Sequence, residues 1–238
     1  MLSDIFSSFD DHNQVYMSYV FMWFISFLVI VVSSSLYWAQ MPNWNLIIFR
    51  VKETIASQVF RSFGVNLGGF MNIVVSLFVC LIFSNLLGLV PYVFSVSSHL
   101  TMSLSLALPL WFSLIISATF FKSSYVVAAL LPMGAPALLN PFLVIIETVS
   151  IMVRPITLSV RLMANMSAGH IVLTLVGNYL STAIFGAWFP FIFLVSVQIF
   201  YTVFEVAICF IQAYIFCLLG TLYSDEHPHH WLYIYTVL

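Results

Sequence analysis

The stretch SVRLMANMSAGH, residues Ser159 to His170, places an arginine deep in a run of apolar residues. Going back along the chain from Arg161, no acidic residue occurs before Glu147. The surroundings make this costly. The chain has 238 residues, 63% of them hydrophobic, with six Lys+Arg and eight Asp+Glu, and a mean hydropathy of +1.11. Charged residues make up 6% of it, against about 25% in soluble domains. So few charges cannot cover a water-facing surface, and the chain reads as an integral membrane protein. Its apolar runs reach the ~20 residues that a spanning helix needs. Short alternating segments of the kind that build a β-barrel are absent. The expectation is an all-α membrane protein with about five membrane helices and one interfacial amphipathic helix, forming a single membrane domain.

The polar tail 1–14, with Asp4, Asp10 and Asp11, precedes a first span at 15–38. An acidic rather than basic flank argues against a cleaved signal peptide. Residues 42–61 mix Arg50, Lys52, Glu53 and Arg61 with Leu46, Ile47, Ile48, Ile55, Val59 and Phe60, which suits a helix lying in the interface. Gly64, Gly68 and Gly69 form a corner before a second span at 70–93, closed by Pro91. His99, in the polar turn SVSSH, reads as a solvated loop histidine. A third span at 100–121 ends at Lys122, with Pro109 expected to bend it. Pro132, Pro136 and Pro141 mark an irregular link. Two long segments follow, 141–176 and 188–223, joined by GNYLSTAIFG, and 224–238 forms a tail. Each long segment would extend roughly 54 Å as a helix. The hydrocarbon core is ~30 Å thick, so both must tilt strongly or break. Arg50, Lys52, Arg61 and Lys122 fall on one side of this topology, which orients the N-terminus outward and the C-terminus inward. Cys80, Cys209 and Cys217 form no CxxC or Cys/His cluster and read as packing residues, with no disulfide or metal site expected.

Glu147, Arg154, Arg161, His170 and Glu205 all occupy membrane positions, where an arginine at a helix centre costs about 2.5–3.5 kcal/mol on insertion scales. Structural ion pairs or snorkelling could account for single members such as Arg154, but a charge pathway better accounts for the set. An antiparallel hairpin of constant register brings Arg161 level with Gln212, His170 with Glu205, and Glu147 with Glu226. Helical phase places Glu147, Arg154, Arg161 and Asn165 within about 40° of one another. His170 falls about 180° from Arg161, so either the helix is distorted near Gly169 or His170 serves a different cavity. A guanidinium stays charged and carries no protons, whereas Glu and His can carry them. The pattern is two proton-accessible ends separated by a cationic barrier.

The segments ETVSIMVRPITLSVRLMANMSAGH and FEVAICFIQAYIF, with SNLLGLVPY at Ser84–Tyr92, closely resemble the a-subunit (subunit 6) family of F-type ATP synthases in its mitochondrial form. The resemblance implies a stator subunit beside a rotating ring of c subunits, in the mitochondrial inner membrane. It would also contact the peripheral-stalk subunit b and other small membrane subunits. Arg161 matches the family's essential arginine, Gln212 and Asn165 its polar neighbours, and His170 and Glu205 its outer half-channel pair. Glu147, with Asp225 or Glu226, would line the exit to the matrix. The resemblance implies protons as the transported ion, no catalysis by this chain alone, and no cofactor or nucleic acid. A proton-coupled secondary transporter or channel is the alternative; it predicts repeat symmetry or broken helix pairs. A haem-bearing redox subunit would need axial ligands, and His170 is the one histidine well inside a span.

Overall fold

A computed structural model describes residues 43–90, 93–131, 139–184, 186 and 188–226, with residues 9, 20, 21, 23, 24, 27, 28 and 31. The expected first span (15–38) therefore lies largely outside the described residues, although its seven described positions are helical. Most of the 1–14 tail and all of 227–238 also lie outside them. The described helices are α1 (Asn43–Arg61), α2 (Phe70–Leu89), α3 (Leu100–Ala129), α4 (Asn140–Ala183) and α5 (Trp188–Asp225). Among the described residues, α2 to α5 are long and apolar enough to cross a bilayer.

Helix α1 follows the interfacial pattern. Ile55 and Val59, one turn apart, are buried against the bundle, while Leu46, Ile47, Phe49 and Phe60 face outward. Arg50 and Glu53 pair at 3.0 Å on its exposed side. The glycine corner then does two different things. Gly69 has φ +81°, a left-handed conformation that starts α2 and that L side chains rarely adopt. At Gly64, a Cβ would collide with the Ser224 hydroxyl and meet the Phe70 ring at 2.8 Å. Gly64 is therefore glycine because the end of α5 packs directly on it. The Phe63 N–H also donates to Asp225 Oδ1 at 2.8 Å, tying this corner to the end of α5.

Helix α2 is the centre of the bundle. Its Val74, Phe78, Leu81 and Ile82 share a core with Leu158 and Leu162 of α4 and with Ala213, Phe216 and Cys217 of α5. Cys217 Sγ lies 3.7 Å from the Val74 carbonyl and Cys209 Sγ 3.8 Å from that of Asn85, so both thiols are packing contacts. Helix α3 passes through Pro109 without leaving helical geometry. Its one non-helical residue is Lys122 (φ −153°, ψ 85°), so the break falls at the expected end of the span and not at the proline. Beyond Lys122 the chain stays helical to Ala129.

Helices α4 and α5 have 44 and 38 residues, about 66 and 57 Å at 1.5 Å per residue. Both far exceed the hydrocarbon thickness and must cross obliquely. The expected link GNYLSTAIFG is mostly helix, because α4 continues past Val176 to Ala183. One glycine, Gly177, costs a helix only about 1 kcal/mol relative to alanine, and the residues after it propagate the turn. The chain reverses at Ile184–Gly186, where Gly186 N–H reaches the Ala183 carbonyl at 3.1 Å. The lipid-facing surface is strongly apolar, with Phe120, Trp188, Phe189 and Phe200 outermost. Polar side chains are inside, and most buried hydroxyls bond a carbonyl three residues back, as Ser84, Ser103, Ser159 and Ser224 do.

The α4–α5 register is visible where Met166 Sδ approaches Cys209 Sγ at 3.8 Å. A Met166→Cys variant should therefore join native Cys209 under mild oxidation or with a short thiol-bridging reagent. Leu173→Cys, two turns further along, should not. Equal cross-linking yields at both positions, measured by gel mobility, would contradict this register.

Candidate functional site

Arg161 lies on the exposed face of α4, between Val160 and Ile156 on one side and Ala164 on the other. It makes no hydrogen bond or ion pair among the described residues. Asn165, one turn on, is half-buried, and Gln212 of α5 is buried. Sequence phase groups Arg161 with Glu147 and Arg154 along α4, and the structure gives the two arginines different surroundings. Arg154 turns inward and is neutralised, whereas Arg161 remains at the surface of an apolar wall.

The part of the hairpin nearer the α4–α5 connection holds Glu205 and His170. Glu205 is 1% exposed, and its Oε1 accepts a hydrogen bond from the Tyr201 hydroxyl at 3.0 Å. Among the described residues, its Oε2 is buried without a partner, as is His170 Nε2. The two side chains thus share a level without forming an ion pair. Gly169 explains how the carboxylate fits. A Cβ built there would collide with Glu205 Oε1, so a glycine is what admits the acid against α4. Because α4 stays helical through Gly169, the distortion considered from helical phase does not occur, and His170 faces a different side from Arg161. The ring of Phe9 lies edge-on to His170 at 6.1 Å.

Sequence reasoning missed the polar company of this region. Asn85 of α2 is fully buried with both amide atoms unpartnered. Ser97 Oγ, His99 Nε2 and Gln198 Oε1 are likewise buried without partners. His99 is not the solvated loop residue expected; it is half-buried, with its ring 5.1 Å from Phe94 and 5.7 Å from Trp23. The reason is that the turn Val96–Ser98 is itself buried and packs against α4, α2 and α3. Buried polar atoms are normally satisfied, and leaving one unmade costs about 1–3 kcal/mol. Among the described residues these unpartnered atoms come from α2, from Ser97 and His99, and from α4 and α5, and Asn140 Oδ1 at the start of α4 is another. The signal available in sequence was helical spacing alone: Gln198, Tyr201 and Glu205 share one face.

At the end of the hairpin far from the α4–α5 connection, Arg154 Nη1 donates to both oxygens of Glu226, at 2.6 and 2.8 Å, and Nη2 lies 3.7 Å from Glu147. The guanidinium carbon sits 5.2 Å above the Tyr223 ring centre. These groups line a cavity of about 360 Å³ with Trp111, Leu114 and Ala118 of α3. Glu147 and Glu226 are therefore brought together as the register implied. Asp225 is not with them, because it binds the Phe63 N–H on the other side of α5. Adjacent residues on a helix differ in direction by about 100°, so only one of the two acids can face the cavity.

Residues 15–225 match the family described as ATP synthase A chain. The chain is 40% identical to ATP synthase subunit a of Drosophila simulans over 95% of its own length and 99% of the relative's. It is 41% identical to that of Drosophila yakuba and 35% to that of Locusta migratoria, with the same coverage of each.

Alanine at position 169 should force the Glu205 side chain out of its seat. Overpacking of this kind costs about 1–3 kcal/mol, read as a lowered melting temperature of the purified protein. Shortening the acid in Gly169→Ala/Glu205→Asp should restore most of it. An unchanged melting temperature in the single variant would contradict the contact.

Proposed function

The chain belongs to the ATP synthase A chain family, and from that premise we propose that it is the proton-conducting stator subunit of an F-type ATP synthase membrane sector. Its work is to pass protons to and from a rotating ring of carboxylate-bearing c subunits through two half-channels that never connect. It does no bond chemistry of its own. The peripheral-stalk subunit b and other small membrane subunits complete its surroundings. The site is the mitochondrial inner membrane, with the N-terminus toward the intermembrane space and the C-terminus toward the matrix.

One observation carries this reading. Arg161 is an exposed cation on an apolar helix face with no counter-charge among the described residues. Lipid facing such a group is expensive, so the face fits a partner that brings its own carboxylate. A guanidinium cannot release its proton under physiological conditions. It attracts each arriving carboxylate into the ionised form and repels protons that would cross from one side to the other. Small Ala164 and Ala168, exposed along the same face, let that partner come close. Asn165, one turn along α4, and Gln212 of α5 add neutral polar groups to this part of the hairpin.

Glu205 and His170 form the outer half-channel, where a carboxylate and an imidazole can exchange protons with entering water. Glu147 and Glu226 form the inner one, and Arg154 sets their spacing. The alignment of these groups at opposite ends of a tilted hairpin, with Arg161 between, supports two separate paths. Continuous α4 and α5 tell against a secondary transporter, whose sites lie at broken helices. The energetics also fit, since one proton driven through 100 mV releases about 2.3 kcal/mol and many must act in sequence.

Arg161→Ala should abolish proton-coupled ATP synthesis in an assembled complex. Arg161→Lys should also fail, because an ammonium lacks the planar fork that a carboxylate engages. ATP synthesis by reconstituted vesicles under an imposed proton gradient, with a native gel for assembly, measures this. Normal synthesis in the assembled alanine variant would sink the reading.

A further inference from the structure

Glu205 does not end the polar face of α5 toward the outer side. Tyr201 and Gln198 precede it at helical spacing, and α5 begins at Trp188 on that same side. The Tyr201 hydroxyl donates to Glu205 Oε1 at 3.0 Å. Among the described residues, Gln198 Oε1 is buried with no partner, and so is the second carboxylate oxygen, Glu205 Oε2. The nearby residue Ile199 is 59% exposed and faces the apolar surroundings, so the polar groups occupy one strip of the helix. Their chemistry is graded. Gln198 offers an amide that orients water, Tyr201 a hydroxyl that both donates and accepts, and Glu205 a carboxylate that ends as the acid.

We propose that Gln198 and Tyr201 extend the outer half-channel beyond Glu205, and that Tyr201 is the group that hands protons to its carboxylate. This rests on the outer half-channel reading given above. In the transfer, a hydronium ion or protonated water chain held near Gln198 places a proton on Tyr201 Oη as the hydroxyl's own proton passes to Glu205 Oε1. One O–H bond forms on the tyrosine as another breaks, so no tyrosinate arises and the tyrosine stays neutral. The carboxylate becomes a carboxylic acid, and water remains on the outer side. Rotation of the protonated carboxyl about its Cγ–Cδ bond then exchanges the two oxygens, carrying the proton to the side that Oε2 held, from which it continues inward.

The test uses the complete ATP synthase in vesicles. Tyr201→Phe removes one oxygen and keeps the ring, which packs beside Phe204 at 6.2 Å. Proton flow should fall about tenfold, the scale set by one lost hydrogen bond to a charged group, while a native gel shows intact complex. Tyr201→His, which restores a proton-exchanging group, should recover part of the flow; a purely packing role for Tyr201 would give no such recovery. In a separate arm, Gln198→Cys should react with a charged, membrane-impermeant thiol reagent applied from the outer side, and labelling should slow proton flow. Ile199→Cys should stay unreactive, and the unsubstituted complex, with Cys209 and Cys217 buried, sets the background. Wild-type flow in Tyr201→Phe, or an inert cysteine at 198, would overturn the proposal. Glu205→Gln separates the two levels. If it conducts normally, the outer half-channel reading itself fails; if it blocks while Tyr201→Phe conducts, only the extension fails.

Discussion

A guanidinium that meets no carboxylate among the described residues is the constraint around which the rest of this structure is organised. Arg161 sits on an apolar face of α4, and in hydrocarbon that position is unfavourable unless another molecule neutralises it. The other arginine of the hairpin, Arg154, shows what the chain does when it wants a cation silenced. There, two carboxylates and an aromatic face surround the guanidinium inside a cavity. The same residue type, two turns apart on one helix, is thus a closed structural ion pair in one place and an open electrostatic site in the other.

The second organising feature is the inverted distribution of polarity. Lipid gives no hydrophobic force between helices, so packing and polar contacts hold them together. Small residues make this possible. Gly64 receives the end of α5, and Gly169 receives the Glu205 carboxylate. Ordinary buried hydroxyls are satisfied by their own helix backbone, and the structure spends no further partners on them. Asn85, Ser97, His99, His170, Gln198 and Glu205 are different, because each carries a buried polar atom with no protein partner. Around Arg154, by contrast, charged groups are already paired with each other.

Much of the fold was legible because the bilayer allows so few solutions. Apolar runs of spanning length announce helices, and two runs of excessive length announce tilt. The amphipathic character of 42–61 announced an interfacial helix for the same reason. Local boundaries were less legible. The GNYLSTAIFG link contains two glycines, yet α4 continues through the first to Ala183, since a single glycine costs a helix only about 1 kcal/mol. Pro109 carries the strongest bend signal in α3, yet the break occurs at Lys122, where the helix emerges from the apolar layer.

By itself the sequence determined that the chain lives in a membrane, that its last two segments carry buried charge, and that Arg161 has no acid nearby on its own helix. These follow from composition and period, which are properties of the chain alone. Only the tertiary structure decided which groups meet. It set Glu226 rather than Asp225 beside Glu147, buried His99 in a turn that composition marked as solvated, and placed the Tyr201 hydroxyl on Glu205. The physical reason is that a helix fixes only the relative directions of its own side chains. Which neighbour fills each direction depends on the crossing of separate helices, and a shift of one residue turns a side chain by about 100°.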